Sequence, residues 1–169
     1  MGQLIAERLT GKPMETFKSA AMDWGNECEA EARAAYQFDA GVLVGKASFI
    51  PHPTIAMAGA SPDGLIGESG LLEIKCPLTH THIETLLSQS VPGRYVTQMQ
   101  FQMASTGRGW CDFVSFDPRM PENMRMFVKR VNRDPETIAE LEKQVTEFNA
   151  EVEKKLAELV ARYPMQEAA

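Results

Sequence analysis

Cysteine, long apolar runs and positive charge are all scarce in this chain. Three cysteines in 169 residues (Cys28, Cys76 and Cys111), odd in number and widely spaced, argue against a disulfide framework and fit a reducing cytoplasm. No apolar run approaches the length of a membrane-spanning helix, and no signal peptide opens the chain, so no membrane partner is expected. Internal repeats and low-complexity stretches are also missing. What is present is 44% apolar content, enough for one sizeable core, and a single domain over residues 1–169 is the expectation. The net charge of −6 looks unsuited to a polyanionic partner, but it is unevenly spread. Residues 134–169 hold nine acidic and four basic side chains, whereas residues 94–133 hold seven basic, Arg94 and Arg119 among them, against three acidic. Such a basic stretch is compatible with phosphate contacts. From charge alone, a solvated mixed-charge surface explains it at least as well.

The densest chemistry lies in Ser61-Pro62-Asp63-Gly64 and, ten residues after the Asp, Glu73-Ile74-Lys75-Cys76-Pro77. Leu71-Leu72-Glu73-Ile74-Lys75 alternates, which puts Glu73 and Lys75 on one face of a strand. Gly64, Gly67, Ser69 and Gly70 let the chain double back and bring Asp63 beside Glu73. Two carboxylates held that close repel each other unless a cation lies between them. Hard oxygen donors suit Mg²⁺, with Mn²⁺ as a substitute. A lysine on the same face would polarise a water or stabilise a developing oxyanion. This is equipment for metal-assisted phosphodiester hydrolysis. The residues just past Lys75 (Thr79, His80 and Thr81) read as a loop able to touch a phosphate. Cys76, His80 and His82 lack a fourth partner and match no common zinc spacing.

Periodicity predicts helices over 3–9, 15–38, 81–88 and 94–105, with strands over 42–50, 54–58, 71–75, 110–116 and 124–131. On the last strand, Met124, Met126 and Val128 are expected on one face, opposite Arg125, Phe127 and Lys129. Asp134-Pro135 opens a C-terminal amphipathic helix over 134–163, with Ile138, Leu141, Val145, Phe148, Val152, Leu156, Leu159 and Tyr163 as its apolar stripe. This order predicts an α+β fold, a mixed central sheet flanked by helices.

The chain resembles the phage lambda exonuclease family, the YqaJ-type viral recombinase nucleases of the PD-(D/E)xK superfamily. The matching residues are Trp24-Gly25, Glu29, Ala32-Arg33, Ser61-Pro62-Asp63-Gly64-Leu65, Gly70-Leu71-Leu72-Glu73-Ile74-Lys75-Cys76-Pro77, Tyr95, Gln98 and Gln100, and Asp117-Pro118-Arg119-Met120. They stand in order over about residues 4–160. The resemblance implies a restriction-endonuclease-like core that degrades linear duplex DNA from the 5′ end with Mg²⁺. Asp63, Glu73 and the Ile74 carbonyl would be metal ligands, and Glu29 a further metal or water ligand. Lys75 would orient the attacking water, and Gln98 would hold the lysine or that water. It also implies a phage or prophage gene acting in a bacterial cytoplasm, a ring-shaped homotrimer and a single-strand annealing protein as partner.

One departure bears on these expectations. Family members carry an arginine-containing segment before the first long helix that helps grip the 5′-terminal phosphate. Here only about two dozen residues precede Trp24-Gly25, so a nuclease domain lacking that segment is expected. Two rival readings share the fold: a binding or assembly protein without turnover, and a PD-(D/E)xK endonuclease.

Overall fold

The computed structural model of the chain describes residues 1–14 and 20–163. Helix α1 (Gly2–Thr10) is followed by α2 (Ala20–Ala40), the short strands β1 (Val44–Gly45), β2 (Ile50–Pro51) and β3 (Gly59–Ala60), and the hairpin β4 (Gly64–Ile66) and β5 (Gly70–Lys75). Helices α3 (Thr79–Ser88) and α4 (Gly93–Thr106) lead to β6 (Trp110–Phe116), β7 (Met126–Asn132) and α5 (Pro135–Arg162), with a 3₁₀ turn at Glu122–Met124 before β7. The expected start of α2 at residues 15–19 lies outside the described residues.

The main sheet has the order β1-β4-β5-β6-β7. Only β5 and β6 run parallel, and α3 and α4 make the crossover that a parallel pair requires. One face packs on α4 and α5 through Leu71, Met99, Met103, Cys111, Phe113, Phe127 and Ile138. The other packs on α2 through Ala32, Tyr36, Leu72, Ile74, Val114 and Phe116. Covered on both faces, the central strand β5 is buried almost throughout, as parallel strands between helical layers are. The structure thus has the α+β architecture expected, a mixed sheet flanked by helices.

Several expected elements are different in the structure. The apolar run 42–50 forms only two two-residue ladders, on different sheets, and Leu43 and Phe49 are exposed. Residues 54–58 form a turn, because the His52 ring accepts hydrogen bonds at Nδ1 from the amides of Thr54 (3.3 Å) and Ile55 (3.2 Å). A side chain that captures backbone amides in this way competes with strand pairing. On β7, Phe127 is buried and Val128 exposed. The Phe127 face meets the α4–α5 layer, and the expected apolar face is covered only at Met126. In α5, Asp134 caps the helix by accepting from the Glu136 and Thr137 amides. Of the expected stripe, Ile138 and Val152 are buried, while Phe148, Leu159 and Tyr163 are exposed.

Most basic side chains of the stretch 94–133 have partners within the chain. Arg130 donates to both oxygens of the buried Asp112 (2.8 and 2.9 Å) and lies over the Trp110 ring, while Tyr36 donates to Asp112 at 2.7 Å. Arg108 donates to the Gly67 and Gly70 carbonyls, Arg125 to that of Met120, and Arg133 to that of Met103. Arg119 pairs with Asp117. These side chains fasten strands and turns. Arg130→Ala leaves a buried carboxylate with one neutral donor. It should lower unfolding stability by about 1–3 kcal/mol in urea titrations, while DNA affinity stays at the wild-type value.

Candidate active site

The β4–β5 hairpin builds the centre. Its turn passes through Gly67 at φ 51, a left-handed conformation that glycine adopts without strain. The antiparallel register pairs Gly64 with Leu72. Continued by one residue, it sets Asp63 opposite Glu73. β4 has ended there, and the Asp63 carboxylate takes over the pairing, accepting from the Ile74 amide at 2.6 Å. In an extended strand the N–H and C=O of one residue project to the same edge. The Ile74 carbonyl therefore faces the same gap as Asp63.

Glu73 and Lys75 share the α4 face of β5, as the alternation predicts. Glu73 is fully buried. Its Oε1 accepts from Gln98 Nε2 at 2.7 Å and pairs with the Lys75 ammonium, and its Oε2 accepts from Gln102 Nε2 at 2.6 Å. Gln98 and Gln102 lie one turn apart on α4, so both amides meet one carboxylate. The Lys75 ammonium lies 5.3 Å from the centre of the Tyr95 ring, and Arg94 stacks on that ring at 4.6 Å. Burial raises the Asp63 pKa to about 6, reinforced by the Glu73 charge and opposed by the Ile74 amide and Lys75. At Lys75, burial acts to lower the pKa, but the Glu73 charge and hydrogen bond, with Asp63, outweigh it and the net shift is upward.

Glu29 arrives from α2, on the opposite side of the sheet from Gln98. It lines a cleft of about 470 Å³ together with Arg33, Lys46, Ser61 and Asp63. The structure thus brings Glu29 to the site, but its carboxylate is held by Arg33 at 2.7 Å. Among the described residues no three His, Cys, Asp or Glu side chains converge as a metal-binding group. The donor set is two carboxylates and a backbone carbonyl. That chemistry fits Mg²⁺, which keeps several waters and takes one or two protein carboxylates. It fits zinc poorly. His82 is buried with its Nδ1 on Ser115 and its Nε2 on the Met124 carbonyl, both at 2.8 Å. Burial pushes the Cys76 thiol up to about 12.

Of the other expected phosphate contacts, Thr79 and Arg119 converge on Asp117. Thr79, His80 and Thr81 form the first turn of α3 rather than a loop. Thr79 donates to Asp117 at 2.7 Å, the Thr81 carbonyl accepts from Thr85, and His80 is exposed. Arg119 is engaged by both Asp117 oxygens and stacks on Trp24 at 4.4 Å. Burial opposes ionisation of Asp117, but bonds from Arg119 and Thr79 bring it down to about 2. Of the expected cations, Arg94 is the one beside the centre.

Three further residues belong to the site. Gln102 is marked in the sequence only by lying one helical turn after Gln98. Lys46 lies in the run 42–50, whose composition predicts a strand. Arg33 is among the residues that carry the resemblance, which assigns it no role. Conversely, Gln100 turns away from the centre and joins the end of β7 to α5, donating to the Asn132 carbonyl and accepting from the Asp134 amide.

Comparison with known proteins points the same way. Over 95% of its length the chain superposes on 81% of an alkaline exonuclease, LHK-Exo, from Laribacter hongkongensis, at 49% identity and TM-score 0.91. A second structure of LHK-Exo, in complex with dAMP, matches at 49% identity and TM-score 0.92, covering 95% of this chain and 82% of that one. A phage-related exonuclease from Haemophilus somnus 129PT shares the fold at 16% identity and TM-score 0.72, over 95% of this chain and 81% of its own. No curated protein matches the chain. The YqaJ-like viral recombinase domain matches residues 3–109, the stretch that carries Glu29, Asp63, Glu73, Lys75 and Gln98, and the chain belongs to that family.

Proposed function

We propose that this chain is a phage-type exodeoxyribonuclease that degrades linear double-stranded DNA from its 5′ ends with Mg²⁺. The observation that carries the reading is the junction of Asp63, Glu73, the Ile74 carbonyl edge and the Lys75 amine where β4 stops short of β5. The 49% identity to an alkaline exonuclease supports it. Asp63, Glu73 and the Ile74 carbonyl would hold the ion, with Glu29 reaching it or its waters from α2. Mg²⁺, or Mn²⁺ in its place, would supply a Lewis acid that makes water a usable nucleophile and offsets phosphate charge. Without the ion, Gln98 and Lys75 share Glu73 Oε1. A bound ion would take the lysine's place on that oxygen and leave its ammonium to orient the attacking water and hydrogen-bond the reacting phosphate. The family likeness supports a homotrimer and a single-strand annealing partner, in a bacterial cytoplasm; no helix of the described residues is long and apolar enough to cross a membrane.

Arg33 and Lys46 supply the positive side of the cleft that Asp63 and Glu29 line. Lys46→Ala should raise KM for DNA severalfold with kcat unchanged, and reduce the salt dependence of binding by about one unit of slope, as loss of one phosphate contact does.

Digestion of 5′-phosphorylated linear duplex in Mg²⁺ tests the reading. Stepwise loss of the 5′ strand, with closed circles left intact, is the expected result. Cleavage of circles would indicate an endonuclease, and DNA binding without cleavage at any divalent ion would indicate a binding protein.

A further inference from the structure

The two oxygens of Glu73 are held in different ways. Oε1 faces Lys75 and Gln98, the side on which a cation already sits. Oε2 faces the interior, where Gln102 Nε2 donates to it at 2.6 Å. Gln102 is itself 2% exposed, next along α4 to Met103, with the Cys111 thiol 4.0 Å from its own amide oxygen. A short bond from a buried amide to a buried carboxylate is charge-assisted and meets no competing water. It fixes the plane of the carboxylate and keeps Oε2, which a two-oxygen chelate would need, turned into the interior. Oε1, shared by Gln98 and Lys75, lies on the side where an incoming ion would displace the lysine.

We infer that Gln102 is a positioning residue that makes Glu73 offer a single oxygen, Oε1, to a divalent cation, and that it thereby biases the site toward Mg²⁺ and Mn²⁺ against Ca²⁺. The inference rests on the metal-dependent reading above. Its physical basis is the different demand of the ions. Ca²⁺ takes six to eight oxygens and readily accepts both oxygens of one carboxylate, whereas Mg²⁺ takes six at short, near-octahedral spacing and keeps its waters. A carboxylate pinned at Oε2 serves the second demand and not the first. Gln98 cannot substitute, because its amide is on Oε1. Gln102 touches neither substrate nor the reacting atoms, so its effect is expressed through Glu73.

Calorimetric titration of the folded protein without DNA, with MnCl₂ and with CaCl₂ separately, tests this on the wild type and on Gln102→Met and Gln102→Asn. Methionine keeps the volume and removes the donor. Asparagine keeps the amide but is too short to reach Oε2, and it carries the test if the first variant does not fold. Partners that orient metal ligands typically change affinity about 10–100-fold. The ratio of Ca²⁺ to Mn²⁺ affinity is accordingly expected to rise about tenfold in either variant. A merely structural role for Gln102 would lower stability and leave that ratio where it is in the wild type. An unchanged ratio, with the wild type still binding Mn²⁺, overturns the role of Gln102 alone. A wild type that binds neither ion overturns the metal reading and this inference together.

Discussion

Replacing Lys75 by methionine is expected to lower kcat about a thousandfold, the loss typical when a positioned proton-transfer or charge-stabilising group is removed. KM for DNA should change little, because the ammonium acts on the reacting water and phosphate rather than along the duplex. The same substitution should tighten Mn²⁺ binding. In the structure the Lys75 ammonium occupies Glu73 Oε1, the oxygen proposed to face the metal, and its positive charge opposes a second cation. Activity and metal affinity moving in opposite directions would distinguish a catalytic lysine from one that only neutralises a buried acid. If Lys75→Met keeps wild-type kcat, the lysine has no part in the chemistry. The ion pair would then be structural.

Asp63→Asn is expected to abolish turnover, by about a thousandfold or more given the several kcal/mol a catalytic metal supplies, and yet to stabilise the protein at neutral pH. The sign follows from the Asp63 pKa, raised from 3.8 to about 6 by burial and by the Glu73 charge. Because the folded value exceeds the unfolded one, the folded state binds more protons between them. Stability therefore falls as pH rises through that window, and the full penalty stands above about 6. Asparagine carries no such penalty and still presents an oxygen to the Ile74 amide. The gain is on the order of 2 kcal/mol, seen as a rise of a few degrees in Tm at pH 7.5 in EDTA and lost near pH 4. A Tm difference that does not vary with pH would show that Asp63 does not titrate in that window.

The parts of this centre that the sequence disclosed are those governed by strand alternation. Glu73 and Lys75 share a face because they are two apart, and Asp63 returns to Glu73 because glycines 64, 67 and 70 permit a hairpin. Gln102 was hidden because a polar residue inside an apolar helix reads as ordinary until its face is known to meet a buried carboxylate. The partners of the arginines are hidden for a related reason. Sequence counts charges without their partners, and Arg108, Arg119, Arg125, Arg130 and Arg133 all find theirs within the chain. The run 42–50 has strand composition but serves two separate ladders, a division decided by what each end packs against. At 54–58 one histidine ring redirects the backbone, and no periodicity records that. Pairing of His52 with Glu142 on α5 and its stacking on Phe101 of α4 hold that ring in place. The turn thus depends on residues distant in sequence.

Anomalous diffraction from crystals soaked in Mn²⁺ tests the central claim most directly. A peak within bonding distance of the Asp63 carboxylate, Glu73 Oε1 and the Ile74 carbonyl, lost in Asp63→Asn crystals, is the predicted result. A saturating soak that leaves those three oxygens without metal, or places manganese elsewhere on the chain, would contradict it.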